Sequence, residues 1–71
     1  MTPQLEPKEL EALSLFANGM TADEIAVLLA VSKRMARYYL HVAARKLGAR
    51  NLVHAVALAV ESGMVILKDV A

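Results

Sequence analysis

The sequence predicts an all-α domain: a four-helix helix-turn-helix unit. Three observations predict it. Apolar residues recur at helical spacing in four blocks, each opened by a residue suited to a helix start. The second block ends near Ala30-Val31 and the third opens at Ser32, leaving roughly three residues between them, the tight turn of a helix-turn-helix. Charge is also segregated. All seven carboxylates lie outside Ile25 to Val60, and that window holds six of the eight cations: Lys33, Arg34, Arg37, Arg45, Lys46 and Arg50. A net charge of +1 hides this block, which is an electrostatic footprint for a polyanion.

The first helix opens at Leu5-Glu6-Pro7-Lys8-Glu9-Leu10. Pro7 suits the first helical position, where a missing N–H costs nothing. Glu9 falls near the positive end of the helix dipole, and Leu5 and Leu10 have the spacing of a hydrophobic staple. Leu10, Leu13, Phe16 and Ala17 form one apolar stripe, and Asn18-Gly19 ends the helix with Gly19 in the left-handed region. Thr21-Ala22-Asp23-Glu24 is a capping box, with Met20 able to staple to Ile25. The second helix then carries Ile25, Ala26, Leu28 and Leu29, with Ala26 and Ala30 small where two crossing helices would meet.

Ser32 caps a third helix that runs to Leu47 and ends at Gly48. At about 100° per residue, Lys33, Arg37, His41, Arg34, Arg45 and Tyr38 share one arc of roughly 140°. Met35, Ala36, Tyr39, Leu40, Val42, Ala43 and Leu47 take the opposite arc, with Ala44 on the basic arc and Lys46 beside the apolar one as exceptions. Such a helix packs by one side and offers cations with the other. Asn51 caps a fourth helix, Leu52 to Ser62, stopped by Gly63. It is apolar nearly all round, with only His54, Glu61 and Ser62 polar, which implies one face for the fold and one for a partner.

The composition excludes several function classes. At 71 residues the chain, 1–71, is one domain, with a thin core. There is no cysteine, hence neither a disulfide nor a thiolate metal site. No signal peptide is read at the N-terminus, and the apolar runs Ala55 to Val60 and Met64 to Leu67 are far shorter than the roughly 20 residues of a membrane span. A cytoplasmic location without a membrane partner is therefore expected. No catalytic triad, phosphate loop or paired acidic site is present, so no enzyme activity and no cofactor are expected. His41 and His54 sit on different helices without a carboxylate companion, so no metal site is expected either. The abundant Ala, Leu and Val give 58% hydrophobic content, more apolar surface than one small core consumes.

With these pieces in place, the chain resembles the LuxR/GerE family of helix-turn-helix domains over about Leu5 to Leu67. The matching segments are Leu5-x-Pro7-x-Glu9-x-x-x-Leu13, Gly19-x-Thr21-x-x-Glu24-Ile25-Ala26, Val31-Ser32, Arg45-Lys46-Leu47-Gly48-Ala49 and Asn51-x-x-x-Ala55-Val56-Ala57. Tyr38-Tyr39-Leu40 and the end of the third helix look closest to the quorum-sensing branch. The resemblance implies transcriptional regulation, with the third helix in the major groove of DNA. It implies base contacts at Arg37, Tyr38 and His41, and phosphate contacts at Lys8, Thr21, Ser32, Lys46 and the neighbouring cations Lys33, Arg34 and Arg45. It also makes the fourth helix the dimer contact. Val53, Val56, Ala57 and Val60 fall within about 100° there and form the expected interface, while Leu52, Ala55 and Ala59 face the core.

Four positions depart from the family pattern: Glu6 stands for the usual Thr cap, Met35 and Ala36 for Thr and Val, and Tyr39 for a common His. Ala36 removes volume at the helix crossing, and Met35 and Tyr39 are expected to refill it. Met20, Met35 and Met64 are expected as core fillers, and His54 at the surface. An exposed cationic helix face is by itself ordinarily just solvated, but here acidic partners at i±4 are missing along the third helix. Thr21 and Ser32 are caps first; a phosphate contact is compatible with that role, because helix N-termini present N–H groups to anions.

The expected function is sequence-specific binding of duplex DNA as a homodimer, with half-sites about one helical turn, 34 Å, or a multiple apart. A full-length LuxR-type regulator and RNA polymerase are further expected partners. The first alternative is an interaction protein that pairs with a full-length regulator and blocks it. The second, a polymerase-binding module of the sigma region 4 kind, fits the Arg45-Lys46-Leu47-Gly48 ending poorly. The family often carries a ligand-binding or receiver domain before this module, so the chain is either a stand-alone regulator or an excised domain.

Overall fold

Each helix starts where a side chain or a proline prepares it. The computed structural model describes residues 4–68 and gives four α-helices. Pro7 opens α1 (Pro7–Ala17), and the Glu6 N–H at its cap donates to Glu9 Oε1 at 2.9 Å. At α2 (Ala22–Leu29), Thr21 and Glu24 exchange the two bonds of a capping box, 2.9 and 3.2 Å long. Ser32 Oγ accepts the Met35 N–H at 3.0 Å to start α3 (Lys33–Lys46). Asn51 Oδ1 accepts the His54 N–H at 2.8 Å to start α4 (Leu52–Glu61). The expected bounds therefore hold to within a residue at either end.

One motif ends the first three helices. The amide two residues past the helix's last residue of negative φ reaches back across the last turn, from Met20 to Leu15, from Val31 to Ala26 and from Ala49 to Ala44, at 2.9–3.1 Å. The residue between must take a positive φ. Gly19 does so at +100° and Gly48 at +71°, without steric cost. In the helix-turn-helix turn that place falls to Ala30, at φ 57° and ψ 45°. Ala30 is exposed, so its small size serves the turn rather than the helix crossing where it was expected. The crossing is made by Ala26 and Ala36, both buried.

α3 is the centre of the fold, packing most extensively on α1 and α2 and also on α4. Small residues make the contacts: Ala12, Ala26, Ala36, Ala43, Ala44, Ala55 and Ala59 are all buried. Leu13, Ile25 and Leu40 are the large side chains that are fully buried. The helices thus approach closely around a thin centre, in a flat molecule of 31 × 31 × 19 Å. Beyond α4, Val65 is buried and its N–H donates to Ala59 O at 3.1 Å. Asn18 then fastens the following segment to the end of α1: its Nδ2 donates to Ile66 O at 3.3 Å, and its Oδ1 accepts the Lys68 N–H at 2.6 Å. Among the described residues, no helix is long and apolar enough to cross a membrane.

One expectation about packing needs correction, and two further positions depart from the simple helical pattern. Met35 does not refill the space beside Ala36; it is 41% exposed, and Tyr39 alone of the two packs against the core. Leu28, one of the apolar residues that α2 carries, is exposed together with Val27, because α2 rests on its neighbours only through the Ile25, Ala26 and Leu29 side. Ala44, on the basic arc of α3, is buried because the chain doubles back over it at Ala49. Met20 and Met64 do pack against the core.

Candidate nucleic-acid interface

The cationic arc of α3 survives folding as a surface. Lys33, Arg34, Arg37, Tyr38, His41 and Arg45 are all exposed, while Ala36, Leu40 and Ala43 on the other side are buried. A continuous strip of donors therefore runs along one side of the central helix. Ala36, Leu40 and Ala43 fix the helix's rotation, so the direction of the strip follows from the core.

The ends of the strip differ in character. At its start, Ser32, Arg34, Met35 and Tyr38 line a small open apolar hollow. The Tyr38 ring lies 6.4 Å from that of Tyr39, which packs on the core, so an exposed aromatic stands beside a half-buried one. At its far end, an open groove is lined by His41, Arg45, Arg50 and Asn51 over a floor of Ala44, Ala49 and Leu52. Arg50 closes the turn between α3 and α4, where its N–H donates to His54 Nδ1 at 3.0 Å. His54 is accordingly half-buried as a clamp on this turn, not simply a surface residue.

Two carboxylates meet the cations from other helices, which linear spacing did not reveal. Asp23, near the start of α2, has Oδ2 3.5 Å from Lys33 Nζ and Oδ1 3.8 Å from Arg37 Nη2. The absence of acidic residues at i±4 on α3 therefore does not leave Lys33 and Arg37 without partners. Glu9, only 6% exposed, receives Lys46 Nζ at 2.8 Å across 37 positions of sequence. With the Glu6 N–H on the same oxygen, Glu9 ties the start of α1 to the end of α3. Lys46 is thus a structural cation whose ammonium keeps further donors free. Burial pushes the Glu9 carboxyl up, but the bonds from Lys46 and from the Glu6 N–H outweigh it and hold the carboxyl below its ordinary value. The bond to Glu9 raises the Lys46 ammonium above its own.

A lowered carboxylate stabilises the fold above its unfolded pKa and loses that contribution as pH falls through the folded value. The thermal midpoint is therefore expected to fall on acidification below the ordinary carboxylate range, and Glu9→Gln should flatten that dependence. Melting curves across acidic pH check this; an equally steep fall in the variant would assign the acid sensitivity elsewhere.

The phosphate candidates fall into three groups. Thr21 and Ser32 are exposed and use their hydroxyl oxygens as caps, which leaves the hydroxyl protons to donate outward. Lys8 and Lys33 are exposed at helix starts, and Arg34 and Arg45 lie on the strip itself. Lys46 stands half-buried at the junction with α1. On α4 the expected interface divides. Val53 is 78% exposed and Ala57 is exposed, whereas Val56 and Val60 are half-buried against the core of their own chain.

Residues 3–59 match the family described as bacterial regulatory proteins, luxR family. Among curated proteins, the chain is 47% identical over 57 residues to transcriptional activator protein BjaR1 of Bradyrhizobium diazoefficiens, covering 80% of this chain and 24% of that one. It is 44% identical over 62 residues to the quorum sensing-dependent regulator RpaR of Rhodopseudomonas palustris, covering 87% and 26%. It is 36% identical over 62 residues to transcriptional activator protein AhyR of Aeromonas hydrophila, covering 87% and 24%. The chain thus spans about a quarter of the length of these relatives. Its four helices, its helix-turn-helix turn at Ala30 and Val31, and a match over most of its length make the chain a member of the luxR family of bacterial regulatory proteins.

Proposed function

We propose that the domain binds duplex DNA sequence-specifically as a homodimer, with α3 in the major groove, and thereby regulates transcription. The exposed strip on α3, rigidly backed by Ala36, Leu40 and Ala43, is the observation that carries the reading. An α-helix fits the major groove, where arginine bonds guanine through two donors and histidine bonds a base edge through one nitrogen. Arg37, Tyr38 and His41 take the base edges, with Tyr38 placed for a thymine methyl. Lys8, Thr21, Ser32, Lys33, Arg34, Arg45 and the remaining donors of Lys46 take phosphates. Such a regulator works in the cytoplasm, with RNA polymerase as a further partner.

Binding should weaken steeply with salt, because each phosphate contact releases counterions at about 0.9 log unit of affinity per log unit of salt. Gel retardation of a selected duplex across a salt series measures the slope. A slope near zero, or no retention near 50 mM salt, roughly where such contacts are strong, sinks the DNA reading.

The dimer rests on the outer part of the α4 stripe. Val53 and Ala57 are open to a second chain, and Val56 and Val60 lend their outer edges. Val53→Glu is the clean probe, since Val60 also packs inward. It should leave helicity intact, and abolish self-association and operator binding together, as read by sedimentation with and without DNA. The alternative, pairing with a full-length regulator to block it, draws support from the same open Val53. A wild type that stays monomeric both free and on DNA favours that alternative.

A further inference from the structure

Asp23 is the one carboxylate that folding brings onto the cationic strip among the described residues. It stands in the first turn of α2, and its two oxygens face two cations one turn apart on α3: Oδ2 faces Lys33 at 3.5 Å and Oδ1 faces Arg37 at 3.8 Å. The three side chains are 54%, 67% and 62% exposed in the order Asp23, Lys33, Arg37, so a polyanion reaches all of them. Both contacts are at the long end of ion-pair range and solvated, which makes them weak as stabilisers of the fold. Their weakness leaves the cations exchangeable, and an exchangeable carboxylate beside a DNA-reading arginine has a functional consequence.

We propose that Asp23 is a specificity-determining residue: it positions Arg37 for base readout and withholds Arg37 and Lys33 from non-specific phosphate binding. The proposal rests on the DNA-binding reading above. A cation on a phosphate adds affinity but carries no sequence information. A guanidinium has five donors, so one edge can lean toward Asp23 while the others reach a base. On a wrong sequence Arg37 lacks a base partner, and its competing choices are Asp23 and a phosphate. The carboxylate offers the first choice and repels the backbone that offers the second. Wrong sites are thus penalised more than the right one, and discrimination is a difference of affinities.

The test uses the full chain and its Asp23→Asn and Asp23→Glu variants. Each is titrated with a selected duplex and with a random duplex across a potassium chloride series. Asp23→Asn should bind random duplex more tightly, with a salt slope steeper by about 0.9 for each cation released. Its preference should flatten at the base pair that Arg37 reads. Asp23→Glu, which keeps the charge, should restore both properties, whereas a purely structural role would change melting and move neither. In an Arg37→Ala background, Asp23→Asn should no longer alter base preference, though the slope change owed to Lys33 should remain. Unchanged slope and preference in Asp23→Asn, or a change of base preference made by Asp23→Asn within the Arg37→Ala background, overturns the assignment of Asp23 while wild-type binding stands. Failure of the wild type to retain any duplex at low salt overturns the DNA reading itself.

Discussion

Leu40→Ala is expected to destabilise the domain by about 2–5 kcal/mol, the range for emptying a buried leucine site. Leu40 is 1% exposed on the inner side of α3, at the helix that all the others contact. The loss is large here because little else can compensate. Apart from Leu13 and Ile25, the fully buried positions are small residues, which cannot rotate into the vacated space. A chain of 71 residues has a core that supplies no more than about 3–5 kcal/mol of net stability. The substitution should therefore leave a substantial unfolded fraction at room temperature, visible as lost helical signal and a lowered urea midpoint. Met35→Ala is the control, because Met35 is 41% exposed and should stay within about 0.5 kcal/mol of wild type. Equal effects of the two substitutions would show that the centre of the core lies elsewhere.

The helix boundaries were readable because capping is local. Thr21 with Glu24, Ser32 and Asn51 each bond an amide three residues away, and Gly19 and Gly48 mark positions that need a positive φ. The end of α2 was readable only from the next cap, since Ala30 fills the left-handed place that a glycine would have announced. Periodicity found the buried side of α3 but gave it too wide an arc. Met35 lies on that arc and finds no neighbour to cover it, and only the fold decides where neighbours stand. Ala44 shows the converse, a residue on the polar arc buried by a turn. Least readable were the ion pairs. Glu9 and Lys46 are 37 positions apart, and Asp23 reaches Lys33 and Arg37 only because the turn at Ala30 sets α2 against α3. A charge map along the chain separates acids from bases that the fold brings together. The candidate strip was nonetheless traced correctly as an exposed face, because it needed only the rotation of a single helix.

Arg37→Ala is expected to cost about 1–3 kcal/mol on the best operator and to flatten preference at a single base pair. Position and chemistry both single it out. Arg37 lies mid-strip between Lys33 and His41, each one turn away, and its guanidinium is 62% exposed beside Asp23. On the proposed DNA reading, this mid-strip arginine takes a base edge and the cations toward the strip's ends take flanking phosphates. The contrast must come from a cation that does nothing for the fold. Lys46 fails that condition, since removing it strands the buried Glu9 and mixes stability with binding. Arg45 meets it, being exposed on the last turn of α3 with no carboxylate contact among the described residues. Arg45→Ala should weaken all duplexes alike and lower the salt slope by about 0.9, leaving the consensus intact. Site selection from random duplex with each variant separates the two roles. If Arg37→Ala returns the wild-type consensus, base readout belongs to His41, Tyr38 or another face, and Arg37 joins Arg45 as a phosphate contact.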